Sequence, residues 1–302
     1  MITNVYDDEV PVVVKIKETI IETPTVKTFI FPFDLTEDIH PGQFVMVWDL
    51  KTEKPMTISV IDKENNLMGI TVRKAGPFTN NLYDNVEAGD YIGIRGPYGH
   101  GYQLDGYKKI LAVGGGSGVA SLGPILSFYD DVDIISAAST KDELVFVDRF
   151  NKEGIKTREC TDDGSCGFKG FSTQLAEELL ANGDYDIIIG CGPEIMSYKL
   201  YELSLKYDVD CQLALDRYMK CGLGICGQCC IDDPGYRVCV EGPVFDKDTL
   251  GKLSEFGKYR RDAAGSIVEY WFSFNFYFFN LLVITYKLFL HSFNILLINC
   301  YL

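Results

Sequence analysis

The apolar positions change rhythm once along this chain, near residue 103. Before it they come in short runs of Val, Ile and Phe, some alternating with polar residues, broken by Gly and Pro. Residues 10–21, 26–33, 44–48, 59–62, 68–74 and 91–95 read as strands, since β-branched and aromatic side chains suit a pleated, half-buried surface. His40-Pro41-Gly42-Gln43, Gly89-Asp90 and Gly96-Pro97-Tyr98-Gly99-His100-Gly101 read as the turns between them. Short strands at nearly even spacing predict an antiparallel β-barrel over residues 1–103. Beyond it, strand-like runs (109–113, 132–137, 155–160, 185–190, 209–215) alternate with helix-like ones (119–129, 142–150, 172–180, 194–206). That alternation predicts an α/β domain over residues 104–215, a parallel sheet with helices on both faces.

Ligands of such sheets bind at the carboxyl ends of the strands. Two glycine-rich turns fall there. Gly114, Gly115, Gly116, Ser117 and Gly118 follow the first strand, and Gly190, Cys191, Gly192 and Pro193 follow the fourth. A strand, glycines and a helix N-terminus offer free N–H groups to a phosphate. A tight strand–helix turn without a ligand is the other reading. No Walker lysine follows, which argues against nucleoside triphosphate hydrolysis.

A third module spans residues 216–266. Cys221, Cys226, Cys229 and Cys239 are spaced C-x4-C-x2-C-x9-C. C-x4-C-x2-C is the spacing of plant-type [2Fe–2S] loops. Gly222, Gly224 and Gly227 let such a loop turn sharply and aim N–H groups at sulfur. A structural zinc site usually pairs its cysteines as C-x2-C twice over, and a set of disulfides is the third reading. Cys230 reads as a non-ligand packed beside the loop.

Charge and composition narrow the function. The net charge of −15 argues against nucleic acid, whose phosphates want clustered Lys and Arg. Of ten cysteines, the six outside the set of four (Cys160, Cys166, Cys191, Cys211, Cys230, Cys300) form no framework. With no signal-peptide pattern, a reducing, cytoplasmic compartment is expected. Residues 267–302 form an apolar tail of Phe, Tyr, Leu, Ile and Asn, with Glu269 and Lys287 its charges. Three readings of it are open: a membrane anchor, a helix docked on a partner, and an extension without selected structure. Asn275, Asn280 and Lys287 sit poorly in a span of roughly 20 apolar residues.

Barrel, nucleotide-type α/β domain and cysteine module, in that order, resemble the ferredoxin-reductase superfamily. Within it the chain is most similar to the electron transfer subunits of class B dihydroorotate dehydrogenases, over about residues 8–265. The family's flavin motif Arg-Pro-x-Ser is matched by Lys54, Pro55, Met56 and Thr57, after Pro41-Gly42-Gln43-Phe44. Lysine keeps a charge for the FAD pyrophosphate but loses the bidentate fork. Ile70, Thr71, Val72 and Arg73, then Gly76-Pro77-Phe78-Thr79, resemble the second flavin segment. Phe78 stands where the family has Gly. Taken alone, residues 54–79 read as a β-hairpin. By the same resemblance residues 114–118 bind NAD, Thr161-Asp162-Asp163-Gly164-Ser165 forms the ribose-side loop, and Gly190, Cys191, Gly192 and Pro193 the nicotinamide side. Cys191 is the candidate catalytic residue, near the hydride path. Its alternative is a small buried residue in a tight turn. Cys160 and Cys166 are expected to pack, and His40, His100 and His291 show no partner spacing.

The resemblance implies a redox chain serving pyrimidine biosynthesis. Dihydroorotate is oxidised to orotate on an FMN in a separate catalytic subunit. Electrons cross a [2Fe–2S] cluster on the four cysteines, reach FAD in the barrel and leave to NAD+. A heterotetramer of two plus two subunits is implied, with the cluster module as its docking face. This chain is not expected to oxidise dihydroorotate alone, because a (β/α)8 barrel takes about 250 residues. Rival readings are the same architecture serving a sulfide dehydrogenase, glutamate synthase or hydrogenase, an electron carrier without NAD use, and a membrane-tethered protein reporting to quinone through the tail.

Overall fold

A computed structural model describes residues 10–35 and 39–270 of the chain. The expectations for the tail from residue 271 onward fall outside the described residues.

The first sheet consists of β1 (Val12–Lys15), β2 (Glu18–Thr23), β3 (Val26–Pro32), β4 (Phe44–Trp48), β5 (Glu53–Asp62), β6 (Leu67–Arg73) and β7 (Tyr91–Tyr98). Its order is β1-β7-β4-β5-β6-β3-β2, antiparallel throughout. The expected single strand 10–21 is two strands, and the break closes the barrel. The Ile16 N–H donates to Asp90 O at 2.8 Å, and Ile16 O accepts the Gly89 N–H at 2.8 Å. One residue on, the Lys17 N–H reaches Ile30 O at 2.8 Å. The first half therefore pairs with β7 and the second with β3, and the sheet's two edges meet at residues 16–17. Alternation along β4 sorts its side chains. Val45 and Val47 fill the barrel, while Phe44 and Met46 join a core outside it.

Helix α1 (Pro77–Asn85) is an element the periodicity does not predict; Pro77 starts it and Leu82 buries against the barrel. Buried Lys27 of β3 satisfies its C-terminal end, donating to Tyr83 O and Val86 O at 3.0 and 2.9 Å, and to Glu87 at 2.7 Å.

In the second sheet β8 (Ile110–Gly115), β9 (Val132–Ala138), β10 (Thr157–Thr161), β12 (Ile187–Cys191) and β13 (Asp210–Ala214) follow the predicted alternation, and β11 (Phe168–Lys169) and β14 (Val244–Asp246) are additions to its edges. All pairings are parallel except β13 with β14. The expected helix 119–129 is broken into α2 (Val119–Leu122) and a 3-10 turn (Gly123–Ser127), and another 3-10 turn (Gly116–Gly118) precedes it. Pro124 lacks a donor. A Cβ on Gly123 would stand 3.1 Å from Ser59 O of the barrel, so this break is where the α/β domain leans on β5. The expected helix 142–150 shrinks to a 3-10 turn (Lys141–Glu143) and α3 (Val147–Lys152). Helices α4 (Ser172–Asn182) and α5 (Glu194–Tyr207) lie close to their expected bounds.

The order β11-β10-β9-β8-β12-β13-β14 has one reversal. From β8 the chain moves outward through β9 and β10, then returns across β8 to β12. The switch point therefore lies between β8 and β12, and a crevice opens at their carboxyl ends. Residues 244–246, sequence-distant from the sheet, add β14 to its far edge and stitch the cysteine module to it. Asp246 then caps α6 (Lys247–Leu250). One core gathers Phe44 and Met46 of the barrel, Leu111 and Val113 of β8, and Met219, Cys229, Val238 and Cys239 of the module.

Residues 257–270 belong to a separate unit. There β15 (Tyr259–Arg261) pairs antiparallel with β16 (Ile267–Glu269), so the first residues assigned to the tail are strand residues of a hairpin. Among the described residues no helix is long and apolar enough to cross a membrane.

Candidate functional site

Between β13 and β14 the chain has almost no regular structure, and its shape is set by glycines and by hydrogen bonds to sulfur. Gly222 and Gly224 have φ of +73° and +72°, which L residues rarely adopt. A Cβ on Gly222 would stand 2.9 Å from Met46 Cγ, so the loop rests directly on the barrel. The N–H groups of Leu223 and Cys226 donate to Cys221 Sγ at 3.4 and 3.5 Å, and the Gly224 N–H to Cys239 Sγ at 3.2 Å. Burial pushes the Cys221 thiol up, but the backbone donors of Cys226 and Leu223 outweigh it and bring it down to about 7. Cys229 and Cys239 are buried with their sulfurs 3.2 Å apart. Burial first, then the Cys229 thiol, push Cys239 up to about 12. A cation bound between these two sulfurs would favour the thiolate form of both.

Two pairs emerge, Cys221 with Cys226 and Cys229 with Cys239, a donor set suited to two irons. Among the described residues, no group of three or more His, Cys, Asp or Glu side chains is drawn together around a single point. Cys226 is exposed. Cys230 forms a backbone bridge with Arg237, and the Arg237 Nη1 donates to Gly224 O at 3.1 Å, steadying the loop from behind.

Lys54, Pro55, Met56 and Thr57 lie on β5, all half-buried, with Pro55 opposite Met46 and Thr57 opposite Phe44. The Lys54 Nζ donates to Tyr218 Oη at 3.3 Å, just before the cysteine loop. An open cleft of about 650 Å³ lies here, lined by Trp48, Lys51, Lys54, Arg95, Lys220 and Leu223 among others. Its cationic wall and aromatic side chain suit a flavin carrying a diphosphate. Ile70 and Val72 are buried in the barrel interior. The Thr71 hydroxyl is 2.8 Å from Ser59 Oγ and 2.8 Å from Thr28 Oγ1. These three side chains are committed to the barrel. Phe78 is half-buried in the first turn of α1. The Thr79 hydroxyl accepts the Ala75 N–H at 2.9 Å and donates to Gly76 O at 3.2 Å, shaping the turn whose free N–H groups suit a phosphate.

At the switch point the two glycine turns press on each other. Gly114 pairs with Cys191 across β8 and β12. A Cβ on Gly118 would lie 2.3 Å from Cys191 O, and one on Gly115 would lie 2.9 Å from Pro193 Cδ. Gly116, Ser117 and Gly192 complete the crevice, and β6 of the barrel packs against residues 116–118. The second flavin segment and the nucleotide turn thus meet. Fully buried Tyr102 donates to Gly190 O at 3.1 Å. Burial pushes the Cys191 thiol up to about 11, with the Ser121 hydroxyl pulling against it, so it is a neutral thiol near pH 7. Thr161 is buried and Asp162, Asp163, Gly164 and Ser165 are exposed. Cys160 Sγ donates to Gly170 O at 3.1 Å and Cys166 Sγ to Glu159 at 2.7 Å, both in packing roles.

Two arginines had no spacing signal. Arg95 of β7 binds the cysteine loop. Arg217 is buried between Glu194, the first residue of α5, and Glu255 of the cysteine module. Its Nε donates to Glu255 at 2.7 Å and its Nη2 to Glu194 at 3.1 Å, while Glu255 accepts the Asp232 N–H at 3.0 Å. The nicotinamide-side turn is thereby tied to the cysteine module. The available clue was an arginine inside an apolar strand, Ile92-Gly93-Ile94-Arg95, where a buried charge needs partners.

Residues 216–251 match the family model of the iron–sulfur cluster binding domain of dihydroorotate dehydrogenase B. A relative from Methanothermobacter thermautotrophicus, named "Probable dihydroorotate dehydrogenase B (NAD(+)), electron transfer subunit", is 48% identical over 268 residues, 86% of this chain and 98% of the relative. One of the same name from Methanocaldococcus jannaschii is 46% identical over 270 residues, 87% of this chain and 100% of the relative. Among solved structures, that of an NADH-dependent reduced ferredoxin-NADP oxidoreductase, described for flavin-based electron bifurcation, superposes with a TM-score of 0.70 at 28% identity, covering 80% of this chain and 93% of that one. A ferredoxin NADP+ reductase from Neisseria gonorrhoeae shares the fold, with a TM-score of 0.56 at 18% identity over 65% of this chain and 91% of that one. At this identity and coverage, the chain belongs to the family of dihydroorotate dehydrogenase B (NAD+) electron transfer subunits.

Proposed function

We propose that this chain delivers to NAD+ the electrons that a separate FMN-bearing subunit takes from dihydroorotate as it forms orotate, in the cytoplasm and as a heterotetramer of two copies of each subunit. The observation that carries the reading is a shared cleft. Lys54 of the flavin motif and Leu223 of the cysteine loop line the same space, and Gly222 seats that loop on Met46. When bound, FAD exchanges two electrons with NAD and trades them singly with a [2Fe–2S] cluster.

The chain's residues hold and orient these groups. Cys221, Cys226, Cys229 and Cys239 hold the cluster. Lys54, Pro55, Met56 and Thr57, with β6 and the Phe78-Thr79 turn, hold FAD; the pyrophosphate has the Lys54 charge and the α1 N-terminus to meet it. Residues 114–118 and Gly190, Gly192 and Pro193 hold NAD at the switch point. Cys191, protonated at neutral pH, acts there by shape and hydrogen bonding rather than as a thiolate. The modules are assigned to residues 1–103, 104–215 and 216–266.

Anaerobic analysis of the purified chain tests this directly. Two irons, two sulfides and one FAD per chain, with the visible spectrum bleached by NADH, are expected. Zinc in place of iron, or no flavin, would overturn the reading. Addition of the dihydroorotate-oxidising subunit then yields dihydroorotate-dependent NAD+ reduction.

A further inference from the structure

Arg95 is 6% exposed, and its guanidinium is nearly fully engaged. Nε and Nη2 grip Glu53 at 3.2 and 2.8 Å, and Nη1 donates to Tyr98 Oη at 3.0 Å. Nη2 also donates to the carbonyl oxygen of Cys221 at 2.9 Å. One planar group therefore joins the residue before Lys54 on β5, the end of β7, and the first cysteine of the loop. It also lines the cleft. Met46 is its register partner on β4, and Met46 is the residue on which Gly222 rests without room for a Cβ. Tyr98 lies against the same glycine, 3.6 Å from its Cβ position. Arg95, Met46 and Tyr98 thus make a rigid seat for Cys221 and Gly222, and the backbone there has no other regular structure to fix it.

We propose that Arg95 is the positioning residue that sets the cysteine loop against the flavin cleft, and so sets the rate of electron exchange between the two cofactors. The inference rests on the cofactor assignment above. A fork of parallel donors is what the role needs, since it fixes direction as well as distance. A lysine keeps the charge but makes only part of the contacts.

The test uses the full chain with its cofactors, in wild-type, Arg95→Lys and Arg95→Gln forms, under anaerobic stopped flow with NADH. Each NADH oxidised to NAD+ and a proton supplies two electrons, and a [2Fe–2S] cluster accepts one of them. Flavin bleaching and the growth of the reduced-cluster signal, read optically and by freeze-quench electron paramagnetic resonance, are timed separately. In both variants cluster reduction is expected to slow at least 10-fold more than flavin bleaching, with an altered cluster spectrum. Arg95→Lys should recover the spectrum more fully than the rate. Equal slowing of both steps, or a Tm loss with the ratio of rates unchanged, would show a merely structural role and overturn the proposal. Should Arg95→Gln not fold, Tyr98→Phe, which removes one anchor of the guanidinium, is expected to shift the same ratio in the same direction; no shift there overturns it too. If the wild-type chain shows no flavin bleaching or no cluster signal at all, the cofactor assignment fails instead.

Discussion

Arg217 is a cation held out of water by two carboxylates, and its worth appears when it is removed. Its side chain is 3% exposed, with Glu194 at 6% and Glu255 at 1%. Arg217→Met leaves both carboxylates buried without their cation, a change that typically costs about 3–5 kcal/mol. A matching loss is expected in urea denaturation, and adding Glu194→Gln and Glu255→Gln should return part of it. Cys211 makes a second prediction at this scale. It is 1% exposed, and burial pushes its thiol up to about 12 from an ordinary value near 9. Between those values the unfolded chain has lost the proton and the folded chain keeps it, so stability falls as pH rises. The slope from this one group is about 1.4 kcal/mol per pH unit. Denaturation at pH 8.5, 9.5 and 10.5 should show a steeper fall in the wild-type chain than in Cys211→Ala.

Among elements, the switch point depends on contact between two turns. Gly118 has an ordinary helical φ of −62°, so alanine there suffers no backbone strain. Its methyl group would nonetheless lie 2.3 Å from Cys191 O, and the turns must part. Gly118→Ala is expected to raise the KM for NADH at least 10-fold while FAD stays bound, measured by NADH-dependent reduction of an artificial acceptor and by flavin content. An unchanged KM would mean the nucleotide does not use this crevice. The broken helix after β8 belongs to the same scale. Apolar periodicity favours one helix over residues 119–129, and Gly123-Pro124 divides it where the domain meets Ser59 of the barrel.

Across the whole molecule, the net charge of −15 coexists with a cleft lined by Lys51, Lys54 and Lys220, where Arg95 is paired with Glu53. The three lysines outnumber the one carboxylate here, Glu53, which Arg95 already pairs, so the wall keeps a positive charge suited to a diphosphate. At the tip of the cysteine loop Ile225 is 78% exposed and Cys226 is exposed beside it, so among the four proposed cluster ligands Cys226 is the most open to solvent. Cys226→Ser is expected to lower dihydroorotate-dependent NAD+ reduction at least 100-fold in the assembled enzyme, with FAD content retained. Coupling at the normal rate in that variant would refute the electron route.

The order of modules, the four cysteines and the two glycine turns were legible because each is a local statement. Ligand spacing, strand period and the need for a left-handed backbone are written in consecutive residues. What the tertiary structure decided depends on residues far apart in sequence. The strand over residues 10–21 reads as one until Ile16 and Lys17 find partners on opposite sheet edges and close the barrel. The crevice between β8 and β12 exists because the chain returns across its own first parallel strand. Ile70, Thr71 and Val72 match a flavin segment in sequence, yet the pleat turns their side chains to the barrel's own packing and hydrogen bonding. Arg95 meets Glu53 across 42 residues and Cys221 across 126. No local pattern records such a pairing, because its physical reason, a buried charge that must be satisfied, acts only once the chain has folded around it.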